Sequence, residues 1–399
     1  MDQMYIVYFL LGMVLFTGAK WCRKGEWNED YTGLGQTKIL QGITALFISL
    51  HHMSQKTGAP WHAARYIVHG LDVFVNMGYL CVGVFLFCSG MGLYKSLKTK
   101  PDYLGRGFFR RRILPIIAAY YLSEWLYLGL RLLMGQKMAV SDILWYASGF
   151  WMANPNSWYV IVIPFFYALF WAAFRFIKKD GISILLVFLF TFAYTYFCAS
   201  IDHQNVWWVR GEWWYNSIIL FPLGILFARF EQPLTKAIKK VYWPLLILAF
   251  AGIFLCFRQA QFVNNHLAGY YGEWGDPLKI PHRLMSCAGE WMVVICYTLF
   301  CLLLTMKLRF GNRLLVLLGS VTLEYYLVHG AFVEMFGYDF LEVAKSIKYI
   351  RNIPTYMAVV LGCSVPATAA FHYLWKGVMR LLGGKPAPKL TAPETQTQK

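Results

Sequence analysis

The sequence predicts an all-α integral membrane protein with about eleven transmembrane helices, a ten-helix core preceded by one extra N-terminal helix. Three observations carry this. Of 399 residues, 58% are hydrophobic, 18% aromatic and only 14% charged, where soluble domains carry about a quarter charged. A globule so poor in charge could not cover its own surface. Apolar runs approaching the roughly 20 residues of a bilayer span recur along almost the whole chain. Lys and Arg, finally, concentrate in alternate connections between those runs. The basic excess, 37 Lys and Arg against 20 Asp and Glu for a net charge of +17, therefore serves topology and lipid headgroups, and a nucleic-acid binder is excluded.

The apolar runs lie at about 4–21, 39–54, 71–93, 113–134, 157–177, 182–200, 211–230, 242–257, 284–306, 314–337 and 353–375. The first lacks the basic start and the small-x-small cleavage site of a signal peptide and reads as a retained helix. Connections after odd-numbered runs, with the tail, hold 26 of the 37 basic residues, and those after even-numbered runs hold 11. The positive-inside rule then places the N-terminus outside and the C-terminus in the cytoplasm of a multi-pass protein of the cell (inner or plasma) membrane. The sequence divides into 1–37 (the extra helix and a cytoplasmic loop), 38–377 (the ten-helix core) and 378–399, a Pro/Thr/Gln-rich tail expected to be disordered. The longest outside loop, about 258–283, carries Asn264, Asn265, His266, Tyr270, Tyr271, Glu273, Trp274 and Asp276. The nine Cys form no CxxC and no Cys/His metal spacing and read as small buried hydrophobes, so no metal site is expected.

Ionisable groups inside spans are costly and mark function by default. In the second run, Gln41 and His52 are eleven residues apart, about 20° from alignment on a helix and roughly 16 Å apart along it. Lys38 lies near the same stripe one turn below, whereas His51 points about 100° away. Either histidine alone could simply bond a headgroup or a loop carbonyl. Arg110, Arg111 and Arg112 open the fourth run and suit a polyphosphate, each offering a planar fork of donors; a bare topology signal explains them as well. Deeper in that run Glu124 shares a face with Arg131, as an ion pair or a catalytic acid. The tenth run places Thr322, Tyr325 and His329 on one face and Glu324 about 140° round from His329. Glu290 in the ninth run also needs a proton or a partner, and either Glu could find an imidazole across the bundle. His372 reads as a core or interfacial histidine. Trp158–Tyr159 and Trp213–Trp214–Tyr215 suit an interfacial belt. Signatures of soluble enzymes (GxSxG, HExxH, Walker loop, GxGxxG, HxxxxD) are absent.

Five segments together resemble the acyltransferase-3 family of multi-span O-acyltransferases. Leu40–His52 (LQGITALFISLHH) resembles the family's opening helix, whose usual form is Arg, ten residues, His. Gly78–Ser96, Phe108–Pro115 (FFRRRILP), Ser157–Tyr167 and Gly319–His329 (GSVTLEYYLVH) are similar to later family segments, in family order over about 38–375. Alignment on His52 puts Gln41 where Arg is usual, with Lys38 one turn below to supply charge; alignment on His51 puts Leu40 there, a worse fit.

The resemblance implies transfer of an acyl group, usually acetyl, from cytoplasmic acyl-CoA to a hydroxyl of an extracytoplasmic or lipid-linked glycan. Acyl-CoA would be a co-substrate and no cofactor would be held permanently. His52, or His51, would be general base or acyl carrier, with Glu324 by preference and Glu124 next as orienting carboxylate, and His329 as a further candidate. Arg110, Arg111, Arg112, Lys38 and Gln41 would meet the CoA, and Trp158, Tyr159 and Tyr325 the acceptor. The competing reading from another class is a proton-coupled transporter or flippase using the same His and Glu residues as a relay. No internal repeat supports it.

Overall fold

A computed structural model describes residues 2–203, 207–268 and 276–383. Tyr270, Tyr271, Glu273, Trp274 and nearly all of the expected disordered tail lie outside the described residues. In chain order the α-helices are α1 (Asp2–Phe16), α2 (Leu34–Gly58), α3 (Gly78–Thr99), α4 (Phe108–Arg112), α5 (Leu114–Leu133) and α6 (Val140–Ala147). They continue with α7 (Trp158–Phe176), α8 (Asp180–Ser200), α9 (Leu220–Arg229), α10 (Glu231–Lys240), α11 (Tyr242–Phe262) and α12 (Lys279–Lys307). Last come α13 (Arg313–Ser320), α14 (Thr322–Phe336) and α15 (Ile353–Leu381). Among the described residues the only sheet pairs Lys20–Trp21 with Leu308–Arg309.

Six of these helices are long and apolar enough to cross a membrane, or seven if α13 and α14 form one broken span. The count of about eleven spans is thus not confirmed, and the helices depart from the apolar runs in particular places. α1 has 15 residues and α9 only 10, because the Trp-rich stretch 211–219 forms a 3₁₀ turn over Glu212–Trp214 and not the start of a helix. The tenth run bends by 91° between α13 and α14, at Val321, the residue that caps both helices. α2 (25 residues) and α5 (20 residues) are long enough but rich in polar side chains. The third helix starts at Gly78, since 72–74 forms another 3₁₀ turn.

The chain forms two compact units. The first comprises 1–78, 118–143 and 305–399, the second 79–117 and 144–304. In the first unit, α14 lies parallel to α2 and antiparallel to α15: Tyr325 meets Ser49 and Glu334 meets Lys56, while Val333 meets Tyr356. The apolar core joining them holds Leu50, Met53, Phe74, Val333, Tyr356 and Val360. A second cluster of Ile39, Ile43, Leu308, Phe310 and Leu315 seats α13 against the first turns of α2. The approach there is backbone to backbone. A Cβ at Gly319 would lie 1.8 Å from the Lys38 carbonyl oxygen, and one at Gly42 would lie 2.1 Å from that of Leu315.

Gly319→Val should accordingly push α13 off α2 at a cost of about 1–3 kcal/mol or more. Detergent-solubilised full-length protein should melt several degrees lower on a thermal-shift scan. An unchanged melting point would contradict this packing.

Candidate active site

The site is built on α2 and α14 in the first unit. On α2, successive histidines point apart by one helical step, and the structure gives them different partners. His51 Nδ1 lies 3.0 Å from the Phe74 carbonyl, to which it donates. Its Nε2 is packed against Gly78, where a Cβ would come within 2.3 Å. His51 is thus clamped between the 72–74 turn and the start of α3. That turn is fixed from below by Ser54 Oγ donating to the Leu71 carbonyl. Asp72 holds the turn's own shape through His69 and the Gly70 N–H. Burial pushes the Asp72 carboxyl up, but those hydrogen bonds outweigh it and hold the group below its usual value.

His52 faces the other way. Its Nδ1 lies 2.8 Å from His329 Nε2 on α14, with the two rings nearly coplanar at 5°. His329 is fully buried, and its Nδ1 lies 2.8 Å from the Tyr325 carbonyl one turn earlier. These contacts fix every proton. A carbonyl can only accept, so His329 Nδ1 carries hydrogen. Among the described residues no carboxylate bonds either ring, so both imidazoles are taken as neutral partners and His329 Nε2 is bare. His52 must therefore donate from Nδ1, and its own Nε2 keeps a free lone pair. Among the described residues that nitrogen has no hydrogen-bond partner. The arrangement does for His52 what a carboxylate does for the histidine of a catalytic triad: it sets tautomer and orientation.

Glu324 does not take that role. Its Oε1 lies 2.6 Å from His372 Nδ1 on α15, both residues about 5% exposed. His372, expected as a core histidine, is the imidazole that neutralises the carboxylate, and the antiparallel register of α14 and α15 brings them together. Glu124 is fully buried on α5 on the face that also carries buried Arg131, which donates to Gln136; the hydrogen-bond partner of His52 is His329. Tyr325 is 3% exposed with its hydroxyl on Ser49 Oγ, so it braces α14 against α2 and presents no open surface to an acceptor. At the Leu34 end of α2, Lys38 Nζ lies 3.4 Å from Ser320 Oγ, and Gln41 is half-buried.

One turn beyond His52 stands a group the sequence reading passed over. Lys56 is 8% exposed, bonded to Glu334 at 2.6 Å and to Asp339, and sits 4.5 Å over the Tyr338 ring. Its spacing of four from His52 was the available signal. Tyr338 stacks on Tyr66 and bonds His62 through its hydroxyl; burial is the first cause pushing that phenol up to about 12. Polar pairs thus recur at Ser320, the last residue of α13, and along α14 at Glu324, His329 and Glu334.

The second unit holds the other expected residues. Arg110 and Arg111 are exposed on α4 and Arg112 half-buried. Arg111 donates to the Tyr103 carbonyl and Arg112 lies 5.5 Å from the Tyr103 ring centroid, so two of the three forks are partly committed to their own loop. Trp158 is buried, 6.1 Å from Trp214, and the Tyr159 ring lies 6.2 Å from Phe85 at a tilt of 34°. No group of three or more His, Cys, Asp or Glu among the described residues could hold a metal ion.

No curated protein and no solved structure matches this chain. The model of the acyltransferase-3 family, described as an acyltransferase domain, matches residues 37–371. That stretch contains α2, the Arg-rich α4 and the His329 segment of α14, and ends one residue short of His372. With a helical membrane fold and a matched region spanning most of its length, the chain belongs to the acyltransferase-3 family of membrane acyltransferases.

Proposed function

We propose that this acyltransferase moves an acyl group, acetyl in the first instance, from cytoplasmic acyl-CoA to a hydroxyl of an extracytoplasmic or lipid-linked glycan, in the cell membrane, with its N-terminus outside. The observation that carries the reading is the unpaired Nε2 of His52, held by the His52–His329–Tyr325 chain. In the reaction His52 Nε2 takes the acceptor hydroxyl proton as the oxygen attacks the thioester carbonyl. The C–S bond breaks, CoA leaves as thiolate, and the proton on His52 passes to that sulfur to give the free thiol. Charge appearing on the imidazole is met by the lone pair of His329 Nε2, the proton of that ring being held at Nδ1 by the Tyr325 carbonyl. General-base help of this kind is typically worth about 10²–10⁴-fold.

The nucleotide of CoA cannot enter lipid, so its phosphates need basic groups at the cytoplasmic boundary. Arg110, Arg111 and Arg112 of the second unit suit that role; Lys38, in the first unit, is a separate candidate for the same charge. Arg111 and Arg112 would exchange their contacts with Tyr103 for phosphate oxygens. The repeated polar pairs along α14 would also serve a proton-coupled transporter, but the family assignment favours chemistry. Uptake of a sugar without acyl transfer would decide for transport.

His52→Ala should lower transfer of label from radioactive acetyl-CoA into base-labile carbohydrate ester by at least about 10²-fold while the protein stays in the membrane. His329→Ala should cost part of that, and His329→Gln should recover some of it, since the amide oxygen can still accept from His52 Nδ1. A His52→Ala protein with wild-type transfer rejects the assignment. His51→Asn keeps a donor for the Phe74 carbonyl and should stay within about threefold of wild type.

Glu324 and His372 behave differently. Removing one partner of a buried pair costs about 3–5 kcal/mol, whereas replacing both by apolar groups is often close to neutral. Glu324→Leu or His372→Phe alone should therefore lower the yield of folded protein, and the double variant should restore it with transfer activity. Restored folding without transfer would place the pair in the chemistry.

A further inference from the structure

The second unit carries a cavity of about 490 Å³, within the range of small-molecule sites. Its described lining residues are Met152, Pro155, His203, Arg210 and Trp213, none of which has a part in the chemistry above. They come from two connections, between α6 and α7 and between α8 and α9. The backbone is shaped to put Arg210 there. Val209, just before it, has φ of 60°, in the left-handed region that a β-branched residue rarely enters. Val209 is buried at 5% exposure, whereas Arg210 is exposed, so the strained turn sends the valine inward and the arginine out. Strain of this kind persists where the surroundings over-determine it, and it clusters at ligand sites. Gly211, just after, makes room for an aromatic wall. Its backbone is extended, with φ of 171°, yet a Cβ there would lie 2.1 Å from the Trp213 ring. The indole is thus folded back against the Gly211 backbone.

The cavity is rich in donors and poor in acceptors. Arg210 brings five N–H groups and makes no hydrogen bond or ion pair among the described residues. The indole N–H of Trp213, 38% exposed, is likewise uncommitted among them. His203 is held through Nε2, which donates to the Cys198 carbonyl at 3.1 Å. Asp202 and Glu212 are neighbours in the chain, but no Asp or Glu among the described residues lines the cavity. An arginine kept unpaired in a concave site calls for an anion. Its five N–H groups and the indole outnumber the roughly four lone-pair sites of a carboxylate. The three terminal oxygens of a phosphate ester take them up better, two at a time on the guanidinium fork. The cavity is also larger than a bare phosphate, and Met152, Pro155 and the indole face offer apolar surface to an organic group.

We propose that Arg210 and Trp213, with His203, Met152 and Pro155 around them, form a binding site for a phosphate ester. The phosphate oxygens accept from the guanidinium and the indole, and the organic part fills the rest of the cavity. Two sources share this chemistry, a membrane lipid and a water-soluble phosphate ester. The assignment does not depend on the transfer reaction or on its acceptor.

The test uses full-length protein in maltoside detergent, which carries no phosphate, titrated calorimetrically in about 0.15 M NaCl. The probes are dioctanoyl phosphatidic acid, glycerol 3-phosphate (the same phosphate without the chains) and dioctanoylglycerol (the same chains without the phosphate). Binding of phosphatidic acid alone identifies a lipid, and equal binding of both phosphates identifies a soluble ester. In either case Arg210→Gln should raise the Kd at least tenfold, and Arg210→Lys, which keeps the charge and loses the fork, should raise it less. Gly211→Ala, which displaces the indole, should raise it severalfold. Arg65→Gln, at an exposed arginine of the first unit, should leave the Kd within twofold. Melting points should match the wild type throughout. No binding of either phosphate, an unchanged Kd in Arg210→Gln, or dioctanoylglycerol bound as tightly as phosphatidic acid would each overturn the proposal. An equal loss in Arg65→Gln would reduce the effect to overall charge, and a fall in melting point with the loss in Arg210→Gln would assign the residue to folding. Either result overturns it as well.

Discussion

A neutral imidazole with a free lone pair is stable among buried helices only when its other nitrogen is paired. His329 supplies that pairing for His52, and the rest of the first unit is arranged to hold His329 still. Its Nδ1 is tied to its own helix at the Tyr325 carbonyl, and the Tyr325 hydroxyl is tied across to Ser49 on α2. A turn further on, Lys56 bonds Glu334. α2 and α14 are thus joined by polar contacts on both sides of the histidine pair, and small rotations of either helix would break several of them together.

The same logic explains why the carboxylate sits elsewhere. A carboxylate on His52 Nδ1 would also fix the ring and leave Nε2 bare, but it would bury a charge beside the base; His329 gives the same orientation with a neutral partner. Placing Glu324 against His372 neutralises it on the far side of α14, and a second imidazole finishes the orienting of His52. The base then depends on tautomer alone, set by one carbonyl oxygen.

Much of the first unit was legible in the sequence because it follows from helical periodicity. The 100° step alone separates His51 from His52, and the structure gives them a loop carbonyl and a partner helix in turn. The bend in the tenth run could not be read there: it falls at Val321, between α13 and α14, while Gly319 meets the Lys38 carbonyl backbone to backbone just before it. The pairing of Glu324 with His372 was not legible, since the register of α14 on α15 is set by contacts such as Tyr356 with the Val333 carbonyl. The stretch 211–219 misled for a related reason. Trp and Tyr make it apolar in bulk, yet its backbone turns at Glu212–Trp214 and delivers Asn216 to Glu290. Hydropathy registers how greasy a segment is and says little about the polar atoms it buries.

The proton positions along His52–His329–Tyr325 are the heart of the account, and ¹⁵N solid-state NMR of imidazole-labelled full-length protein in lipid bilayers reads them directly. Spectra assigned with His52 and His329 variants should show His52 protonated at Nδ1 and bare at Nε2 near neutral pH, with His329 in the same tautomer. A His52 ring protonated at Nε2, or at both nitrogens, would leave no lone pair for an incoming hydroxyl and would contradict the mechanism.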